Sequence, residues 1–339
     1  MRITYGPWGE TLDELAAAGK AAEEAGAEVL WVPELHRSAM IPAAVLAAAT
    51  STAGIGTAIA LAFTRSPVIT ALEALDLDEV SGGRFILGLG SGVRRMNEDW
   101  HGVHWDKPVA RLRETVACVR QFVATCGSGE PIELTGQQQS LRIRGYQRPF
   151  PIVRDRIPVY VAAVGPAMTR MAARVAEGWI SHELCSPAYL GERLLPWIEE
   201  GLSGAGRKRS DFDVVVSACC SIDDDPRAAY RRAAGLVGFY ASVRTYAGFF
   251  DFHGLAAEQG AVVEAFAAGA AADDLADVIP DHMVDRLTLS GTAAQVRERL
   301  AAYEGLADTV KLTPPTHGIS AEETRRAQER IIELIGDLT

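Results

Sequence analysis

A chain of 339 residues with 48% hydrophobic and 23% charged side chains holds enough apolar surface to fold unaided, which excludes a disordered protein. Its formal net charge of −11 opposes the phosphates of nucleic acid and the headgroups of anionic lipid, so a small molecule is the expected ligand and neither nucleic acid nor membrane is. The five cysteines, Cys118, Cys126, Cys185, Cys219 and Cys220, form no C-x-x-C pair, which argues against a disulfide framework or zinc knuckle and for a reducing, cytoplasmic compartment.

Short β-rich runs alternate with longer helical patterns from one end to the other. In chain order, a strand at 2–5 is followed by a helix at 11–25, a strand at 29–32 by a helix at 42–52, and a strand at 57–62 by a helix at 67–80. The next pairs are 85–89 with 109–125, 159–163 with 166–176 and 179–181 with 187–201. The last are 214–221 with 226–240 and 309–312 with 320–335. Eight β units paired with eight α units is the count of an α/β protein of the (β/α)8, or TIM barrel, class, whereas a doubly wound sheet more often stops at five to seven strands. One domain over 1–339 is expected, with insertions near 127–157 and 240–290. The first contains LTGQQQSLRIRGY, a polar centre between β-formers that predicts a hairpin. The second is expected to cover the catalytic end. The opening MRITYGPWGETLDEL lacks the apolar core of a leader, and no run approaches the ~20 apolar residues of a membrane span.

Two segments carry the chemistry. In SGGRFILGLGSGVRRMNEDWHGVHW, which starts at Ser81, a strand follows Gly82 and Gly83, and Gly88, Gly90 and Gly92 would let a flat ring or a phosphate approach the backbone. The alternative is a glycine-rich strand end packed beneath a helix. The dinucleotide fingerprint G-x-G-x-x-G is excluded because Val93 stands where its third glycine belongs, and no phosphate loop ending in G-K-[ST] is present. In IPVYVAAVGPAMTRMAARVAEGWISH, a tight Val164-Gly165-Pro166 turn opens a helix whose first N–H groups form an anion site, unspecific as to ligand.

With VLWVPELH, TAIALAFTRSP and LSGTAAQVRERLAAYEGLADTVKLTPP, these segments resemble the luciferase-like family over nearly the whole chain. The resemblance is greatest to the branch that uses the deazaflavin coenzyme F420. It implies an oxidoreductase that moves a hydride at the deazaflavin C5, with the cofactor supplying the difficult chemistry. It also implies a non-proline cis peptide at Ala58–Ile59, backing the ring together with Ala60. Gly90, Ser91, Gly92 and Asn97 match the loop that borders the ring. Val164 and Gly165 match the phosphate site, together with His182, where relatives often carry a hydroxyl residue. Glu34, at the end of the second strand, and His36 just beyond it are the expected proton-transfer groups. Arg94 and Arg95 are expected to hold the phosphate or polyglutamate tail. Arg65 is either a partner of the coenzyme's anionic parts or a surface or capping arginine, and Glu183 and Tyr246 are candidates by location. WHGVHW, with His101 and His104, reads as aromatic lining for a planar substrate or as loop packing rather than as a metal site. Cys185 reads as a small buried hydrophobe.

Relatives of this type act on sugar phosphates, secondary alcohols, pterin one-carbon units and enones, and the resemblance implies a homodimer formed through the early helices. Two other readings stay open: a reduced-FMN monooxygenase, and a flavin-binding barrel without turnover.

Overall fold

The computed structural model of the chain describes the backbone of residues 1–339 and every side chain except those at 272 and 273. β1 (Arg2–Tyr5) leads to α1 (Leu12–Glu24), and β2 (Val29–Val32) leads to α2 (Met40–Ala49). β3 (Gly54–Thr57) resumes as β4 (Ala60–Leu61) before α3 (Pro67–Val80). β5 (Phe85–Gly90) is followed by a π turn, Met96–Trp100, and by α4 (Pro108–Thr125). The antiparallel hairpin β6 (Ile132–Thr135) and β7 (Ser140–Ile143) comes next, where the polar run QQQ predicted it. β8 (Val159–Ala162), α5 (Pro166–Val175), β9 (Gly178–Ile180) and α6 (Pro187–Tyr189) follow. A second π turn, Leu190–Leu194, precedes α7 (Leu195–Ser203), β10 (Asp213–Ile222) and α8 (Pro226–Ser242). The second insertion is helical, with α9 (Ala247–Phe252), α10 (Ala256–Ala267) and α11 (Asp281–Leu287). β11 (Leu289–Gly291), α12 (Ala293–Ala301), β12 (Thr309–Thr313) and α13 (Ala321–Leu338) complete the chain.

Helix starts are encoded locally. Ser66 accepts the Ile69 N–H with Pro67 directly behind it, Asp225, ahead of Pro226, accepts the Arg227 N–H, and Thr292 and Ser320 form reciprocal capping boxes with Gln295 and Glu323. Two predicted boundaries are corrected. The strand expected at 57–62 pairs with β2 over Gly54–Thr57 and bends at Ala58 and Ile59 before the short β4. The sequence GIG scores poorly as strand, but a Cβ at Gly56 would lie 2.3 Å from the Trp31 ring, so packing selects the glycine. The helix expected at 187–201 is broken by its π turn, an extra residue that apolar periodicity does not register. β11 and α12 were not predicted.

The chain forms two compact units. In the unit made of Met1–Ala27, His182–Leu195 and Val215–Thr339, parallel strands run in the order β11-β10-β12-β1. Its core includes Tyr5, Val215, Val216, Val310 and Leu312. In the unit made of Glu28–Ser181 and Pro196–Val214, the parallel order is β2-β3-β5-β8-β9, with β4 alongside β5. Its strands are buried on both faces, as Leu30, Ile55, Phe85, Leu87 and Val161 show, which is the habit of parallel sheets covered by helices. β1, β2, β3, β5, β8, β9, β10 and β12 are the eight parallel strands of the (β/α)8 class, as expected. Among the described residues no helix is long and apolar enough to cross a membrane.

Candidate active site

The Ala58–Ile59 peptide is cis, at the bond the resemblance singled out. Glu34 holds this segment. Its N–H donates to the Ile59 carbonyl at 3.1 Å, and its Oε2 accepts the Leu61 N–H at 2.7 Å. The Arg65 guanidinium grips both oxygens of the same carboxylate, with Nη1 to Oε2 at 2.7 Å, and its Nε lies 3.3 Å from Glu73 Oε2. The planar fork of arginine matches a carboxylate in this bidentate manner. Glu34 holds the Arg65 guanidinium above its ordinary range, and burial raises the Glu73 carboxyl. Arg65 is therefore engaged by Glu34 and Glu73, and is neither a surface arginine nor a helix cap. His36 is exposed on the loop beyond.

The glycines at 88 and 90 do not leave the backbone open, contrary to expectation. A Cβ at Gly88 would sit 1.8 Å from the Thr57 carbonyl oxygen, and one at Gly90 would sit 2.7 Å from Ile59 Cγ1. Each glycine admits a neighbouring part of the protein, and Thr57 Oγ1 both accepts from the Gly88 N–H and donates to its carbonyl. Gly92 takes a positive φ of 64°. Asn97 is fully buried, and its amide nitrogen ties the loop by donating to the carbonyls of Ser91 at 2.8 Å and Val93 at 3.0 Å. Among the described residues Asn97 Oδ1 has no hydrogen-bond partner. Arg94 and Arg95 are exposed, and Arg95 lies 3.5 Å from Asp99. Trp100, His101 and His104 are also exposed, while Trp105 meets Phe63 edge-on at 5.8 Å.

At the end of β8, Gly165 is the N-cap of α5 and no side chain caps that helix. A Cβ at Gly165 would meet nothing within 4 Å. Open space at an uncapped helix start suits an anion, because the first N–H groups and the helix dipole favour negative charge. The half-buried Val164 precedes it.

The other unit holds a second polar set. His182 is buried, its Nδ1 accepts the Leu184 N–H at 3.2 Å, and its ring packs on Tyr240, Tyr246 and Phe249. Burial pulls its pKa down to about 3, so the ring is neutral and carries its proton on Nε2. Next to it, Glu183 faces Lys311 Nζ at 3.7 Å and accepts from the Tyr240 hydroxyl at 3.4 Å. The sequence reading named Glu183 and Tyr246 but missed Lys311 and Tyr240. The available signal was a lone cation in the apolar strand TVKLT. Cys185 is buried, like the other four cysteines.

The family profile described as luciferase-like monooxygenase matches residues 2–309. A protein of Mycobacterium tuberculosis provisionally named a coenzyme F420-dependent oxidoreductase is 30% identical, with 96% of each chain covered. The 5,10-methylenetetrahydromethanopterin reductase of Archaeoglobus fulgidus is 30% identical, with 85% of each covered. Among solved structures, the coenzyme F420-dependent tetrahydromethanopterin reductase of Methanopyrus kandleri superposes with a TM-score of 0.84 at 24% identity, over 99% of this chain and 98% of that one. The chain belongs to the luciferase-like family and has its (β/α)8 fold. It is an oxidoreductase.

Proposed function

We propose that this protein is a coenzyme F420-dependent oxidoreductase that moves a hydride between the deazaflavin C5 and a small organic substrate. The observation that carries this reading is the end-to-end likeness to relatives named for F420, 30% identical over 96% of the chain in one case. The residues present fit the coenzyme. The open, uncapped start of α5 at Gly165 suits its phosphate, and the unpartnered Asn97 Oδ1 offers an acceptor in the loop assigned to the ring border.

In this reading Ala58, Ile59 and Ala60 back the ring, and Gly90, Ser91, Gly92 and Asn97 border it. Val164 and Gly165 hold the phosphate. The exposed Arg94 and Arg95 meet the anionic tail. When bound, the coenzyme supplies a two-electron hydride couple. Glu34 acts as a positioning residue, since both of its oxygens are engaged by Arg65 and Leu61 N–H, and His36 is left as the exposed proton carrier of that loop. The family profile's own description supports a second reading, a reduced-FMN monooxygenase.

The protein acts in the cytoplasm as a homodimer. Its early helices suit that role: α2 is almost wholly apolar, and Ile41, Ile69 and Val80 are exposed on α2 and α3. Titrating the purified protein with oxidised and reduced F420 and with FMN tests the cofactor. Micromolar F420 binding without oxygen consumption is expected. FMN binding with no F420 binding overturns the reading.

A further inference from the structure

Lysine is almost never fully buried unless paired, yet Lys311, in the middle of β12, is 3% exposed. It stands in register with Thr4 on β1 and Ser217 on β10, so three neighbouring strands place a polar side chain in one layer of an otherwise apolar sheet. Gly6, just past β1, leaves room for its stem: a Cβ there would lie 3.2 Å from Lys311 Cε. The stem ends 3.7 Å from Glu183 Oε1. Glu183 follows β9, where the (β/α)8 class carries its chemistry on the loops after the strands. Glu183 also receives the Tyr240 hydroxyl and keeps 22% of its side chain exposed. Replacing a buried ion pair with apolar side chains is often neutral or stabilising, so the fold has no general need of this one.

We propose that Lys311, Glu183 and Tyr240 form a proton relay serving the oxygen of a carbonyl substrate, with Glu183 as the group that meets it. The proposal rests on the deazaflavin reading above. In the reducing direction the carbonyl carbon would take the hydride from the C5–H bond of the reduced coenzyme, when bound, and the C=O π pair would move to oxygen. That oxygen takes its proton through Glu183, which passes on a proton from the Lys311 ammonium and remains a carboxylate, and solvent then returns a proton to Lys311 through the part-exposed Glu183. Alcohol oxidation reverses each transfer. Tyr240 holds the carboxylate by its hydrogen bond. Burial pulls the Lys311 amine below its usual range, which eases release of its proton, and raises the Tyr240 phenol well above its own, so Tyr240 stays a donor. The other groups facing Glu183 are Tyr246 and Cys219, both raised chiefly by burial, with His182 against the two tyrosines.

The test loads wild type, Glu183→Gln, Lys311→Met and Tyr240→Phe with reduced F420. It follows coenzyme oxidation by a panel of ketones and aldehydes that begins with acetone and cyclohexanone. At least one panel member is expected to oxidise the wild-type coenzyme. Glu183→Gln is expected to lower kcat about 100-fold, the scale of general acid–base catalysis, and to abolish one limb of the kcat–pH profile, while KM and the F420 Kd stay within about twofold. Glu183→Asp should restore part of kcat and the missing limb, which separates proton transfer from a folding defect. The relay is refuted if F420 binds and no carbonyl is reduced, or if Glu183→Gln keeps kcat and both pH limbs; the deazaflavin reading survives either result. Absence of F420 binding removes both.

Discussion

Glu34→Gln separates a positioning carboxylate from a catalytic one. The substitution keeps the shape and an oxygen for the Leu61 N–H but removes the charge facing Arg65, in a pair whose side chains are only 11% and 15% exposed. Removing one partner of a buried pair costs about 3–5 kcal/mol. Glu73 remains 3.3 Å from Arg65 Nε, so the expected loss is nearer ~2–3 kcal/mol. The segment from Ile59 to Leu61 then loses its anchor, and F420 affinity should fall about 10- to 100-fold, at 1.4 kcal/mol per decade. Urea denaturation of the free protein gives the first quantity and F420 fluorescence titration the second. Both changes should appear together, and Glu34→Ala should enlarge both. A Glu34→Gln protein with wild-type stability and Kd but a much reduced kcat would show the reasoning to be wrong and Glu34 to be the proton carrier.

Gly165 has extended backbone (φ −92°, ψ 161°) that other residues adopt, so Gly165→Asp should cap α5, stabilise the fold by ~0.3–1 kcal/mol, and weaken F420 binding at least about tenfold by placing a carboxylate where the phosphate belongs; a thermal melt and a titration check it. Gly90→Ala pushes a methyl onto Ile59 and should cost about 1–3 kcal/mol in urea unfolding, with a matching loss of F420 affinity; wild-type values for both would contradict the packing shown here. Burial holds the His253 pKa down to about 4 and that of His182 down to about 3, below the ordinary 6.5. The unfolded chain therefore takes up protons that the folded one refuses. Stability should be complete above about pH 6.5 and fall as pH drops toward 4, and His253→Gln should flatten part of that slope in urea midpoints measured across the range. Ile41→Arg with Ile69→Glu should convert dimer to monomer in sedimentation velocity, and an unchanged assembly would move the interface elsewhere.

Much of the framework was legible in the sequence. Helix α3 spans the expected 67–80, from Pro67 to just before the Gly82-Gly83 pair, because caps and periodicity act over a few residues. The strand at Gly54–Thr57 was misplaced because Gly56 is selected by the Trp31 ring from a neighbouring strand, which no local pattern reports. The π turn after α6 was hidden for a related reason: one extra residue per turn leaves apolar spacing nearly intact. At the site, the cis bond at Ala58–Ile59 and the open start of α5 were found through motif likeness and the Val164-Gly165-Pro166 turn. Lys311 was overlooked because a lone lysine in a short strand ordinarily marks a solvated edge.

The amino-acid sequence by itself determined the repeating βα units, their caps and the family, since these depend on short-range chemistry and motif order. Tertiary structure alone decided what the side chains do. It engaged Arg65 with Glu34 and Glu73, filled the space beside Gly88 and Gly90 with Thr57 and Ile59, and brought Lys311 to Glu183 from a distant part of the chain. Partners of this kind are set by strand register and packing, and register is a property of the folded sheet rather than of any one segment.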